Sequence, residues 1–384
     1  MTFTKVGTDK SQISTPALLI DLDLLEKNIR TMADYYRGRK GAALLPHQKG
    51  HRLPIIAKKQ IDAGALGVSM TSLGLAEYYV MSGIDNILIT APICSDDKIA
   101  RLCSISKHAN ITASVDSIKN ARRISEIALA SNTRLNVATE LYTGALSSSG
   151  VSEGISGCGV EMARTKEFVK ELEKLRGINF VGLWWHNAAL NGIKNWQERK
   201  SVHDKQLDEI AVLKDEIEDA GTDVRMLSGG YTCTWNITPE YDRLRNVQVQ
   251  AGSYVFSDWC SHELEGLQVF DCALTVLTRC ISRPRPNEAV FDFGMNSCSD
   301  EHTDDYHNVI GPKFKNQEGL KNIYEREETS LANVESAGRA VDVGDVFELI
   351  PPHSDTTAKL YDKYYGIRND KVEVVWNNYG RGLL

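Results

Sequence analysis

The stretch 41-GAALLPHQKGHRLPIIAKKQIDAGALGVSM-70 decides how this chain folds. Gly41–Pro46 is a short apolar run, His51–Ala63 repeats its apolar residues at helical spacing, and Ala65–Met70 is a second apolar run. Two strands joined through a helix pair in parallel, because only a crossover connection is long enough to bring them side by side. The same unit recurs along the chain. Further strands are expected at Asn86–Thr90, Ile111–Val115, Leu135–Thr139, Phe180–Trp184, Val224–Ser228 and Val247–Gln250. Helices are expected at Ser72–Ser82, Asp96–His108, Ser117–Ser131, Arg164–Arg176 and Asn195–Asp219, the last with Lys205 and Glu209 one turn apart. Strands alternating with helices in this number fit an α/β fold, the closed (β/α)8 barrel of the TIM type.

Past Gly252 the texture changes. Gly266–Ser282, Ala289–Phe293, Val346–Ile350 and Lys371–Trp376 read as strands without helices between them, which suggests an antiparallel β domain. Ser297–Asn333 is polar, with acidic pairs at Asp304–Asp305 and a charged run at Glu325–Glu328, and reads as a long loop. Thr15–Asp21 is a strand ahead of the helix Leu24–Arg37, free to join the C-terminal strands. The expected division is a barrel over residues 22–255 and a β domain made of residues 1–21 and 256–384.

Composition narrows the function. Of 384 residues, 42% are apolar and 25% charged, a globular composition that excludes disorder and fibrous repeats. The net charge of −7 offers no basic surface for a phosphate backbone, so no nucleic-acid partner is expected. No apolar run approaches the ~20 residues that span a bilayer, and Met1–Ser14 has no apolar signal core, so no membrane partner and a cytoplasmic location are expected. Eight cysteines in so long a chain are too sparse for a disulfide scaffold.

A barrel of this kind presents its chemistry at the C-terminal ends of its strands. The first strand ends in Pro46-His47-Gln48-Lys49-Gly50-His51, the fifth at Glu140, the sixth at His186, the seventh in Ser228-Gly229-Gly230 and the eighth in Gly252-Ser253-Tyr254. A lysine crowded by other cationic groups loses its proton readily and condenses with carbonyls. A solvated loop lysine is the competing reading of that tripeptide. Ser228-Gly229-Gly230-Tyr231-Thr232-Cys233-Thr234 sits where this fold often binds phosphate, its glycines baring backbone N–H groups, although an ordinary βα turn reads the same way. Lys49 and this loop together suggest an aldehyde cofactor with a phosphate tail, pyridoxal phosphate. In Pro351-Pro352-His353-Ser354-Asp355, His353 and Asp355 share a side if the chain stays extended, and imidazole with carboxylate suits Mn²⁺, Mg²⁺ or Zn²⁺. A polar loop after a strand is the alternative there, as it is for Asp304, Asp305 and His307.

Taken in order, these motifs resemble the fold-type III pyridoxal phosphate enzymes of the D-threonine aldolase and D-serine dehydratase group, distant relatives of alanine racemase. The resemblance begins at Thr15-Pro16-Ala17-Leu18-Leu19-Ile20-Asp21 and runs through the Lys49 and Ser228 motifs. It continues with Ala251-Gly252-Ser253-Tyr254-Val255-Phe256-Ser257-Asp258, Asp292-Phe293-Gly294, the His353 motif and the terminal Trp376 to Gly382. It implies that Lys49 carries the cofactor as a Schiff base, with His47, Trp185, Ser228, Gly229, Gly230, Thr232, Gly252, Ser253 and Tyr254 around it. His353 and Asp355 would bind a divalent metal, and Asp355, where the dehydratases usually have Cys, points to the aldolase branch. The chain departs from the family at Tyr231 and Cys233, which replace glycines, at Leu45, which replaces arginine, and at Gly144–Ser149, which has no arginine.

The implied reaction is retro-aldol cleavage of a D-β-hydroxy-α-amino acid, with Lys49 and His51 as catalytic residues. A metal would lower the pKa of the β-hydroxyl, and a metal-bound hydroxide or His51 would take its proton. Dehydration of D-serine or 3-hydroxyaspartate uses the same parts, and a non-catalytic cofactor carrier is the reading outside enzymes. The expected partners are a small amino-acid substrate and a second copy of the chain in a homodimer.

Overall fold

A computed structural model describes residues 4–39, 41–143, 146–147, 150–151, 158–186, 188–299 and 311–383. The chain divides into two compact units. One comprises Met32–Gly252, Leu264–Gly266 and Leu383–Leu384; the other Met1–Thr31, Ser253–Glu263 and Leu267–Gly382.

The strand β1 (Ala17–Asp21) and helix α1 (Leu22–Tyr36) come first. The first unit then alternates β2 (Ala42–Leu44), α2 (Pro54–Asp62), β3 (Val68–Met70), α3 (Leu73–Met81), β4 (Asn86–Ile89), α4 (Asp96–Ile105), β5 (Asn110–Val115) and α5 (Ile118–Ala130). It continues with β6 (Leu135–Tyr142), α6 (Met162–Glu173), β7 (Ile178–Trp185), α7 (Trp196–Asp219), β8 (Met226–Gly229) and β9 (Val247–Val249). The sheet has nine strands, ordered β2-β9-β8-β7-β6-β5-β4-β3, with the short strand Val160–Glu161 beside β6. The pairings are parallel throughout. The two ends of that order meet: Leu66 N donates to Leu44 O, Ser69 N to Pro46 O and Gln48 N to Ser69 O. The sheet therefore closes on itself as the expected barrel. Its interior is filled by Leu45, Leu88, Ala138, Trp184 and Met226.

Element ends follow local chemistry. The expected helix His51–Ala63 starts later, at Pro54, with Leu53 as its extended N-cap. Arg52 has a positive φ of 55°, and proline disfavours helical backbone in the residue before it, so the first turn cannot begin at His51. Asn195 caps α7, its Oδ1 accepting from Glu198 N at 2.9 Å.

The second unit is a mostly antiparallel sheet. Its strands are β1, β10 (Leu274–Arg285), β11 (Glu288–Phe291), β12 (Lys313–Phe314), β13 (Lys321–Glu325), β14 (Ser330–Asn333), β15 (Val346–Ile350), β16 (Lys363–Arg368) and β17 (Lys371–Asn377). The order is β13-β14-β11-β10-β1-β16-β17, with β15 pairing both β10 and β12. β1 pairs antiparallel with β10 and parallel with β16, so the N-terminal strand joins the C-terminal sheet as expected. The expectation of one loop from Ser297 to Asn333 is corrected: its described part from residue 311 onward contains β12, β13 and β14. Backbone pairing with β11 and β15 overrides the polar composition that concealed these strands.

Candidate active site

Lys49 follows β2 and lines a cavity of about 250 Å³ at the C-terminal ends of the barrel strands. His47, His186, Tyr231, Glu140, Gln250 and Trp184 line the same cavity. Strand parity aims them. Ala138 and Trp184 pack in the barrel interior, so Glu140 and His186, two residues further on, fall on the same side of their strands. Trp184 is fixed by Nε1 donating to Ser114 Oγ at 3.0 Å.

Both histidines near Lys49 are held below their ordinary range. Burial, then the positive charge of Lys49, depresses His186 to about 4. Burial, then the charges of Lys49, His186 and Arg52, lowers His47 well below its usual value. Ser69 Oγ donates to Leu45 O and so accepts from His47 Nδ1, 3.0 Å away, leaving Nε2 with its lone pair. Glu140 moves the other way: burial first and the negative charge of Asp116 second push its carboxyl up to about 8.

The glycine loops are packed closely. A Cβ on Gly229 would lie 2.2 Å from the Trp185 ring, and one on Gly252 would lie 2.3 Å from the His47 carbonyl. Only residues without side chains allow these two loops to pack so tightly, with Gly252 N donating to Thr232 Oγ1 at 3.2 Å. Ser228 Oγ donates to Gln248 O and accepts from Gln250 Nε2 at 3.0 Å, which orients the Gln250 amide. Tyr231 meets the His186 ring edge-on, with centroids 5.1 Å apart.

Several expected residues lie elsewhere. Trp185, equally readable from the sequence as a core tryptophan, is buried against Gly229, while Trp184 lines the cavity, because adjacent strand residues face opposite sides. His51 is buried and is not among the lining residues; its Nδ1 accepts from Leu53 N at 3.1 Å, where the chain turns into α2. Ser253 and Tyr254 belong to the second unit, in the short 3₁₀ helix Ser253–Val255, with Tyr254 packed on Phe270. Glu140 and His186, named from the sequence only as strand ends, line the cavity, and Trp184 and Gln250 line it with them.

In the second unit, Ser354–Ala358 forms the helix α9, with His353 as its extended N-cap and Asp355 buried in its first turn. This corrects the expectation of an extended chain through His353 and Asp355. Asp258 caps the short helix α8 (Trp259–His262), its Oδ1 accepting from Ser261 N at 2.9 Å, while its Oδ2 accepts from Ser354 N at 3.1 Å. Asp258 Oδ2 also lies 3.6 Å from His353 Nδ1. Burial would raise the Asp258 carboxyl, but His353 and the Ser261 donors outweigh it and hold the group below its ordinary range. Imidazole and carboxylate are both donor types that divalent ions accept. Among the described residues no group of three or more His, Cys, Asp or Glu is placed to hold a metal. Asp304, Asp305 and His307 lie outside the described residues.

Comparison with known proteins places this geometry in context. Residues 20–256 match the family model of the alanine racemase N-terminal domain, and residues 273–367 match a serine dehydratase-type domain model. A D-threonine aldolase of an Arthrobacter species is 28% identical over 98% of this chain and 95% of its own length. A 3-hydroxy-D-aspartate aldolase of Paracoccus denitrificans is 30% identical over 98% of this chain and 94% of its own. The crystal structure of the D-threonine aldolase from Filomicrobium marinum matches with a TM-score of 0.90 at 26% identity, covering 99% of each chain. No described helix is long and apolar enough to cross a membrane.

Proposed function

The chain belongs to the alanine racemase N-terminal domain family, and from that premise we propose that it is a pyridoxal phosphate- and divalent-metal-dependent aldolase. Its substrate is a D-configured β-hydroxy-α-amino acid, cleaved to glycine or another small amino acid and an aldehyde. The observation that carries this reading is the cavity itself: Lys49 at the barrel mouth, between depressed histidines and beside the Gly229-Gly230 loop. The similarity to two aldolases along nearly the whole chain supports the choice of reaction.

Lys49 would hold the cofactor through its aldehyde carbon, and the backbone around Gly229, Gly230 and Gly252, with Thr232, would bind its phosphate. When bound, the cofactor supplies an electron sink for charge developing on the α-carbon. A divalent ion on His353 and Asp355 would supply Lewis acidity toward a hydroxyl. The chain's own residues do the rest. His47 and His186 stay neutral near pH 7, so they wall the cavity as hydrogen-bonding groups and add no positive charge beside Lys49. Trp184, held by Ser114, gives the cavity a rigid apolar wall that excludes water. His51, whose Nδ1 accepts from Leu53 N, would remain the candidate to take the hydroxyl proton. The assembly we propose is a homodimer.

A panel of D- and L-threonine, D-3-hydroxyaspartate and D-serine, incubated with cofactor and Mn²⁺ or Mg²⁺, tests the reading. Aldehyde and glycine from a D-β-hydroxy amino acid are expected. Keto acid and ammonia in place of aldehyde would make the protein a dehydratase, and no product from any of them would remove the enzymatic reading.

A further inference from the structure

Among the described residues lining the cavity, Glu140 is the one carboxyl, and the reaction described so far gives it no task. Glu140 is only 4% exposed, lines the cavity with Lys49, and receives no hydrogen bond from the described residues. A buried carboxyl with no donor stays neutral, since ionising it without a partner is costly. Burial and the nearby charge of Asp116 both act in that direction, and the group titrates near 8. The other titratable groups lining the cavity are Lys49 and His47 after β2, His186 after β7, Tyr231 after β8, and Cys158. The histidines are deprotonated at pH 7 and have no proton to give from their imidazolium form. Cys158 is an exposed residue whose thiol is pushed above its ordinary range by partial desolvation, then by the charges of Glu140 and Asp116, which makes it a weak acid.

Breaking the Cα–Cβ bond leaves an electron pair on the α-carbon, and a proton must reach that carbon before the amino acid can leave. The donor has to be in the cavity and protonated at the working pH, with a pKa near that pH for efficient transfer. On the aldolase reading above, we propose that Glu140 is the catalytic acid of this cavity. Its carboxyl O–H bond breaks as the C–H bond forms at the α-carbon, and the carboxylate left behind regains a proton from solvent after product release.

The test compares wild type with Glu140→Gln, which keeps size and burial but carries no transferable proton. In single turnovers with cofactor and metal, Glu140→Gln should release aldehyde at close to the wild-type rate. Its glycine should appear roughly 10²–10⁴-fold more slowly, the range for loss of a general acid. Wild-type protein without cofactor should show the infrared band of a neutral carboxyl at pH 7, absent from Glu140→Gln. In wild type the glycine step should fall above about pH 8. Asp116→Asn removes a like charge, so it should move that fall to lower pH. Glycine forming at the wild-type rate in Glu140→Gln, both products slowing together, or a missing infrared band would each overturn the proposal. A wild type that releases no aldehyde would sink the aldolase reading and this proposal with it. An active wild type with an indifferent Glu140→Gln would sink this proposal alone.

Discussion

At the mouth of the barrel, Glu140 and Trp184 are aimed by strands locked into a closed parallel sheet and His47 by its bridge to Ser69, with Lys49 in the turn that follows. In the second unit, His353 and Asp355 are aimed by a helix cap and one turn of α9, a helix of five residues. The strand-borne residues inherit their direction from many backbone hydrogen bonds, so no single side chain decides where they point. The cap-borne pair depends on a few bonds, chiefly those that tie Ser354 to Asp258. On the proposed reading, a covalent cofactor would need a fixed amine, whereas a labile ion would tolerate a mount held by fewer bonds.

The contrast can be broken most severely at Lys49. Lys49→Ala should lower kcat by more than the ~10²–10⁴-fold that loss of an acid–base group alone costs, and should remove the cofactor's bound absorbance with it. Retained turnover with a bound chromophore would move the amine elsewhere.

The second region should fail differently. Asp355→Ala, or exhaustive chelation of wild type, should abolish turnover while leaving the bound cofactor spectrum in place. Equilibrium dialysis should show metal affinity falling by more than the ~10–100-fold typical of losing an outer-shell partner. Asp258→Asn, which disturbs only the mount, should fall within that range. Asp355→Cys should shift preference toward Zn²⁺, since thiolate is the softer donor. Full activity in metal-free Asp355→Ala would remove the ion from the mechanism.

A smaller effect sharpens the claim that the barrel loops are tightly packed. In Gly229→Ala the new methyl meets the Trp185 ring, and such overpacking costs about 1–3 kcal/mol. Thermal denaturation should show a lower Tm, with cofactor retention weakened in parallel. An unchanged Tm would mean that Trp185 is not rigidly held.

The smallest expected effect lies in the pH dependence of stability. His186 and the buried His203 titrate near 4 in the folded chain against an ordinary 6.5, both chiefly through burial. Between those values the unfolded chain binds more protons, so stability is present above pH 6.5 and declines as pH falls toward 4. Denaturant midpoints measured across that window should fall on acidification, and His203→Gln should flatten the trend.

The same contrast explains what could be read from the sequence. The barrel is legible because strand and helix periods differ and because β2 through β9 repeat one unit. Lys49, His47 and the Gly229-Gly230 loop are legible because this fold puts chemistry at strand ends. Trp184 and Glu140 were legible in principle, since counting in twos from Ala138 reaches Glu140, but choosing between Trp184 and Trp185 requires knowing which face is inside. α9 was not legible: Pro351-Pro352 reads as a loop, and the helix start is set by Asp258, almost a hundred residues earlier, accepting from Ser354 N (|i−j| = 96). β12 to β14 were hidden for a similar reason, their pairing being supplied by partners distant in the chain.

The central claim is that Lys49 is the amine that holds the cofactor in the barrel cavity. Borohydride reduction of the cofactor-loaded protein, followed by peptide mass spectrometry, tests it most directly. A single reduced adduct on the peptide containing Lys49 is expected, reduced in yield when substrate occupies the site. An adduct on another lysine, or none from a loaded protein, would contradict it.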